Sequence, residues 1–182
     1  MKCPVCRSYD LMLQDLHQGL KGYSCTQCNG NWVKYSDYDD WSRNTNDESI
    51  NQEKLEEYLP EYDTKKVTMC PDCGKILIKY KVAKNIPFSV DHCENCNGVW
   101  LDKDEWDTLI QNNLHHHMMR FFTEPWQHKI KLEMSVAKFE EIYKNRFGND
   151  YDKILEIREW IRSNPKKDHI IAFITDENPF KL

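Results

Sequence analysis

Ile76, Ile78, Tyr80 and Val82 alternate with Lys75, Leu77, Lys79 and Lys81. A period of two predicts a half-buried strand with a lysine-rich outer face. Asn85-Ile86-Pro87 reads as a turn and Phe88-Ser89-Val90-Asp91 as the returning strand, which makes a hairpin. Helix signals follow. Asp102-Lys103-Asp104-Glu105 has the spacing of a capping box, with Asp102 as N-cap and Glu105 reaching back. Ser36 is the matching cap ahead of Asp37-Tyr38-Asp39-Asp40-Trp41, and the acidic first turns suit the helix dipole.

Residues 111–182 read helical. Ser135 is expected to cap a helix whose Val136, Phe139 and Tyr143 form one stripe, with Gly148 as the stop. Asp150 can cap a second helix bearing Ile154, Leu155, Ile157, Trp160 and Ile161. Asn164-Pro165 predicts a third through Ile170–Ile174, although the β-branched run at 169–175 also permits a strand. These helices are expected to dock on the rest as a small bundle. Residues 44–66 form an acidic linker, seven Asp or Glu against three Lys, with a short helix expected over Glu48–Leu59 before Pro60. The expected segments are therefore 1–43, the linker 44–66, 67–112 and a helical 113–182.

The cysteines identify the first and third segments. All eight fall into four Cys-x-x-Cys pairs: Cys3/Cys6 with Cys25/Cys28, and Cys70/Cys73 with Cys93/Cys96. The pairs of the first set are separated by 18 residues and those of the second by 19. Such spacing signals a four-thiolate metal site, because each Cys-x-x-Cys turn holds two sulfurs on one side of a tight loop. Soft thiolates select zinc or iron, and four protein ligands leave no open position for substrate, so both sites read as structural. Two Zn2+ per chain are expected. Iron in a rubredoxin-like site stays open from the residues alone. Disulfides are disfavoured by the lack of an apolar secretory segment, and a thioredoxin-like dithiol by the lack of a βαβ pattern.

The repeat extends past the ligands. Cys28-Asn29-Gly30-Asn31-Trp32-Val33 returns as Cys96-Asn97-Gly98-Val99-Trp100-Leu101. Gly30 and Gly98 are expected at positive φ. Each indole is expected to pack over its own metal site. The run Cys70-Pro71-x-Cys73-Gly74 through Cys93-x-x-Cys96-x-Gly98-Val99-Trp100-Leu101-Asp102-x-x-Glu105 resembles the transcription factor IIB-type zinc-ribbon family of small bacterial proteins. The first copy is looser, with Arg7-Ser8 where a glycine is usual and Val33-Lys34 in place of Leu-Asp. The resemblance covers about half the chain and implies zinc and a link to transcription. The expected fold class is α+β, small and metal-stabilised: two zinc ribbons, each a β-hairpin with zinc knuckles and a following helix, plus a C-terminal helical region.

Charge narrows the partners. The formal net charge is −5, and each Zn(Cys⁻)4 centre adds −2, so two loaded centres take it to −9. Nucleic-acid binding normally shows as a basic footprint. The candidate contact set is Lys75, Lys79, Tyr80, Lys81 and Lys84, whose plainer reading is a solvated strand face. Successive residues on a helix point about 100° apart, so His115, His116 and His117 cannot chelate one ion together. His92 could ligate only by displacing a cysteine. Phe121–Trp126 is aromatic enough for a core or a docking patch.

No apolar run suits a membrane span and no targeting peptide is visible, so a cytoplasmic protein without a membrane partner is expected. No catalytic triad, phosphate loop or His-Glu-x-x-His helix is visible, so no enzyme activity is expected. The expected function is a non-catalytic zinc-binding adaptor for another protein. The alternatives are a nucleic-acid-binding or transcription-associated module and an iron electron-transfer protein.

Overall fold

Short strands separated by tight turns cannot bury much alone, and here they combine into one antiparallel sheet. The structure is a computed structural model that describes residues 1–45 and 66–180; the helix expected over Glu48–Leu59 lies outside the described residues. The chain divides into two compact units, Met1–Glu133 and Met134–Leu182.

In the first unit the strands are β1 (Leu11–His17), β2 (Leu20–Cys25), β3 (Asn31–Val33), β4 (Ile78–Lys81), β5 (Ser89–His92) and β6 (Val99–Leu101). Gln18 and Gly19, both at positive φ, supply the two-residue turn between β1 and β2. The order across the sheet is β1-β2-β3-β6-β5-β4. Each half thus contributes a hairpin and a third strand, and the halves meet at β3 and β6. Their register pairs Asn31 with Leu101, Trp32 with Trp100 and Val33 with Val99. That register is symmetric about the tryptophans, so the two ribbons form an intramolecular pair related by a pseudo-twofold axis.

The period-two rule assigns the two sides of this joint. Val33, Val99 and Leu101 face a core shared with Leu20, Phe88, Trp106 and Leu109. Trp32 and Trp100 face the other way, into a core shared with Leu11, Leu77 and the cysteines. Both indoles are fully buried. Each removes roughly 200 Å² from water, on the order of 3–5 kcal/mol before ordering costs, so the centre of the sheet is its strongest joint.

The lysine-flanked strand differs from expectation in phase. Leu77 is 5% exposed, whereas Ile76 and Ile78 are 59% and 41% exposed. Residue 77 lies before β4, where its N–H bonds Thr68 O at 3.0 Å, and its side chain enters the cysteine-side core. Val82, just past β4, enters the opposite core. β4 is a four-residue edge strand flanked by these two buried positions, so one alternation does not run through it.

Helix α1 (Tyr35–Asn44) follows β3, and α2 (Glu105–Gln111) follows β6. Ser36 lies inside α1 rather than capping it; Lys34 holds the cap position without a side-chain bond. At α2 half of the capping box forms. Glu105 Oε2 accepts the Asp102 N–H at 2.9 Å, but the Asp102 carboxylate accepts Trp100 Nε1–H at 2.8 Å instead of capping. Asp104, at φ 67°, occupies the cap position.

A 3-10 segment (His115–Phe122) and the start of α3 (Glu124–Phe147) close the helix-side core with Met118, Phe121 and Trp126. Tyr38 ties α1 to this segment: its hydroxyl donates to His115 O at 2.7 Å and accepts from Met118 N–H at 3.1 Å. Trp126 Nε1–H donates to Val82 O at 2.9 Å. The aromatic residues of Phe121–Trp126 therefore belong to or pack against the core, while Thr123, Glu124 and Pro125 are exposed.

α3 runs on through Ser135, which therefore lies inside the helix rather than at its start, no breaker standing between Pro125 and Gly148. Gly148, at positive φ, ends α3 as expected. Helices α4 (Tyr151–Ser163) and α5 (Lys167–Thr175) follow. Asp150 precedes α4 but makes no side-chain cap bond. Residues 169–175 are helical, not a strand, and α5 begins two residues past Pro165, with Asn164 Oδ1 accepting the Lys166 N–H at 2.9 Å. None of the described residues from Met134 onward is buried.

Candidate metal centres

Each quartet is assembled from local turns. Cys3 and Cys6 lie on the turn before β1, and Cys25 and Cys28 on the turn from β2 to β3. Cys70, Cys73, Cys93 and Cys96 occupy the corresponding turns of the second half. The backbone repeats bond for bond. Arg7 N–H donates to Cys3 O at 2.8 Å, as Gly74 N–H does to Cys70 O at 2.9 Å. Asn29 N–H donates to Cys25 O at 2.9 Å, as Asn97 N–H does to Cys93 O at 2.8 Å. Inside the knuckles, Cys6 N–H points at Cys3 Sγ (3.3 Å) and Cys73 N–H at Cys70 Sγ (3.4 Å), dipoles that stabilise thiolate charge.

The sulfurs of each quartet lie within 4.8 Å of one another. Cys3 and Cys28 are 3.7 Å apart, Cys70 and Cys96 3.5 Å, and Cys73 and Cys93 3.4 Å. A tetrahedron with metal–sulfur bonds of about 2.3 Å has edges of roughly 3.8 Å, so both quartets fit one ion of zinc size. None of these separations is a disulfide bond, and the cysteines are free thiols. Burial pushes the Cys3 thiol up to about 11, and moves Cys28 and Cys70 in the same direction. The backbone N–H of Lys75 lowers Cys73 to about 7. A metal must therefore displace protons from buried thiols when it enters. Among the described residues, these two quartets are the groups of Cys, His, Asp and Glu close enough to hold an ion.

The tryptophans do not cover their own sites. They are exchanged. A Cβ placed on Gly30 would lie 3.0 Å from Cε2 and Cη2 of Trp100, and closer still to Cζ2. One on Gly98 would meet the same edge of Trp32. Each indole thus presses on the knuckle glycine of the opposite copy, a consequence of the β3–β6 pairing. Trp32 Nε1–H donates to Asp72 Oδ2 at 3.0 Å, inside the Cys70–Cys73 turn. Lys34 Nζ stands 3.8 Å from the other Asp72 oxygen.

This arrangement also corrects the role of the glycines. Positive φ falls at Asn29 (56°) and Asn97 (57°), and at Arg7 (62°) opposite Gly74 (70°), but not at Gly30 or Gly98. Those two glycines supply space for a ring. Sequence reasoning did not find Asp72 or Lys34, because their partners come from the other copy, some forty residues away in sequence.

The histidines are packing groups. His92 is buried and stacks on Phe122 with centroids 3.9 Å apart, and desolvation lowers its pKa. His115 is buried among His17, Trp41 and Trp106, and His116 stacks on Trp41 at 4.6 Å. In the candidate nucleic-acid set, Lys79 Nζ bonds Asp91 at 3.3 Å and Lys81 Nζ bonds Pro87 O at 3.3 Å. Tyr80 donates to Glu94 at 2.8 Å, and its ring packs edge-on to His92 and Phe122. Lys75 and Lys84 are exposed. The hairpin's cations are thus partly matched by local acceptors, and the tyrosine face is partly used in packing.

No described helix is long and apolar enough to cross a membrane. No curated protein and no solved structure matches the chain. Residues 69–112 match a protein family described as "Transcription factor zinc-finger", a span that takes in the second quartet and ends before the 3-10 segment. Together with the two thiolate quartets, the match supports a zinc-binding protein whose residues 69–112 are similar to a zinc ribbon of that family.

Proposed function

We propose that the chain is a non-catalytic adaptor that binds protein, built on two structural Zn(Cys)4 ribbons with two zinc ions per chain. The observation that carries this reading is the contrast between the units. The ribbons fold around closed thiolate sites, while the helices from Met134 onward keep Phe139, Trp160, Phe173 and Ile174 more than half exposed. Large apolar side chains left exposed in such number support an interaction role for these helices. Zinc fits the all-thiolate quartets and the ribbon geometry, and its work here is to hold the fold rather than activate water.

A pull-down with the zinc-loaded chain tests the reading. A partner must be retained by the wild type and lost when Trp160→Glu alters the helical face at unchanged zinc content. Retention by both, or by neither, refutes the helical face as the binding surface.

The second reading, nucleic-acid contact through the β4–β5 hairpin, draws on the family match at 69–112 and on exposed Lys75 and Lys84. Binding through phosphates would weaken steeply with salt. Titration with single- and double-stranded DNA and RNA at 50 and 200 mM salt decides it. No binding at the lower salt eliminates this reading.

A further inference from the structure

The two ribbons repeat each other closely enough that each is a control for the other. Their knuckle backbones match. Arg7 N–H donates to Cys3 O as Gly74 N–H does to Cys70 O, and the N–H groups of Cys6 and Cys73 each point at the first sulfur of their own turn. Two differences remain, and both favour the second quartet.

The first difference is bracing. Trp32 holds both turns of the second quartet. Its ring edge lies against Gly98, just past Cys96, and its Nε1–H donates to Asp72 Oδ2 at 3.0 Å, between Cys70 and Cys73. The indole cannot follow a turn that opens, because it is fully buried and paired with Trp100 across the sheet. The Asp72 charge would by itself oppose the neighbouring thiolates, but Lys34 Nζ stands 3.8 Å from its other oxygen.

Trp100 holds only one turn of the first quartet. Its edge lies against Gly30, but its Nε1–H goes to Asp102 of its own copy at 2.8 Å. At the position of Asp72 the first quartet has Val5, whose side chain packs against the cysteine-side core but offers no acceptor. The turn Cys3–Cys6 therefore lacks the directional tether that fixes Cys70–Cys73.

The second difference is backbone strain. Arg7 holds φ 62° where the second quartet has Gly74 at 70°. Glycine adopts that conformation freely and an L side chain does not, so closing the first turn costs more.

A metal that enters a turn already held in place loses less of its binding free energy to ordering. We propose that the two quartets bind metal unequally: the second fills first and keeps its ion, while the first exchanges with the zinc supply around the chain. Asp72 is the positioning residue that sets this order. The first ribbon is then the part of the chain that a falling zinc concentration empties. This rests on the reading of two zinc sites per chain and adds an order to it.

The test uses the full chain loaded with zinc and titrated with a chelator. The amide resonances of Asn29 and Asn97, one beside each quartet, report the two sites separately by NMR. In the wild type, the Asn29 signal should change at a free zinc concentration at least about tenfold higher than the Asn97 signal, the scale of one hydrogen bond to a charged group. Asp72→Val gives the second knuckle the residue of the first and should narrow that ratio at least about fivefold. Asp72→Asn, whose amide oxygen can still accept the indole N–H, should keep it. Arg7→Gly should tighten the first quartet about two- to fivefold and leave the second in place.

Equal release from the two sites, release from the second first, or a ratio indifferent to Asp72→Val each overturns the proposal. General destabilisation would weaken both quartets and leave their ratio unchanged, so the ratio separates positioning from folding. Metal analysis of the saturated chain tests the two-site reading on its own. One ion per chain would fail that reading, and the order proposed here falls with it only if that ion sits in the first quartet.

Discussion

Replacing Gly98 with alanine should damage the opposite copy's tryptophan. The added Cβ would stand 2.6 Å from Trp32 Cη2 and 3.0 Å from Cε2, with Cζ2 nearer. The ring has little room to yield. Trp32 is fully buried, pairs with Trp100 across the sheet and is held by its bond to Asp72. Overpacking of a rigid core costs about 1–3 kcal/mol, and a rigid ring facing backbone places this case near 3. Gly22 provides the control. A Cβ there meets the half-buried side chain of Leu16 at Cγ as well as at its methyl groups, so Leu16 must change rotamer, and Gly22→Ala should cost about 1–2 kcal/mol, less than Gly98→Ala. The assay is urea unfolding of the metal-loaded protein with a double-mutant cycle. Trp32→Phe alone creates a cavity, but in the Gly98→Ala background it removes the colliding edge. The double variant should therefore be more stable than the sum of the single effects predicts, by at least about 1 kcal/mol. Gly30→Ala with Trp100→Phe should behave in the same way. If the Gly98–Trp32 cycle is additive within about 0.5 kcal/mol, the indoles are not exchanged as described here and the reasoning is refuted.

The shared core carries a consequence for metal binding. Cys96→Ser should release one ion and also weaken the first quartet at least fivefold, because Trp32 and Trp100 lie between the sites; chelator competition reads this, and an unchanged first site would sink it. Arg7→Gly should stabilise the fold by about 0.5–1 kcal/mol, since Arg7 holds a left-handed conformation where the second copy has Gly74. A shift of the urea midpoint to higher concentration checks it, and no shift counts against it. Metal affinity should rise with pH. Burial holds Cys3 up to about 11 and raises Cys28 and Cys70, so these three thiols are protonated at neutral pH in the metal-free protein and each loses its proton on binding. Between pH 6 and 8 each such thiol contributes about tenfold per unit, and affinity falls as pH falls. A competition titration at pH 6, 7 and 8 with a flat profile would contradict this.

The ligands were legible in the sequence because metal chemistry imposes local spacing. Two Cys-x-x-Cys turns specify a quartet whatever surrounds them, and the capping reach of Glu105 is equally local, spanning three residues. The exchange of tryptophans was not legible, for two physical reasons. First, β3 and β6 hold three residues each, too few for a periodicity to assign their faces. Second, glycine has two unrelated uses, positive φ and absence of a side chain, and a sequence does not say which one applies. At Gly30 and Gly98 the backbone demand had already passed to Asn29 and Asn97, residues that also tolerate the left-handed region. What remained at the glycines was room for a ring contributed from far along the chain. The misplaced phase at Ile76–Val82 has a similar origin. Alternation predicts one buried face, but this edge strand is anchored by the residues flanking it, Leu77 and Val82, in opposite cores.

The repeat is therefore better understood as a folding unit of two than as two units in succession. A ribbon alone would contain its four thiolates but lack the indole that fills the space above its knuckle glycine. It would also expose the β3 or β6 edge that the other copy covers. Metal binding closes each knuckle, while the partner copy supplies the core. This division explains why the family match takes in the second copy while the first can depart at Arg7, Ser8 and Val33-Lys34. The departures lie outside the ligands and outside the Gly-x-Trp element, the parts that each copy must provide to the other. Lys34 goes further: it stands beside Asp72, the acceptor of the Trp32 indole, so a position where the first copy has diverged now supports the turn of the second.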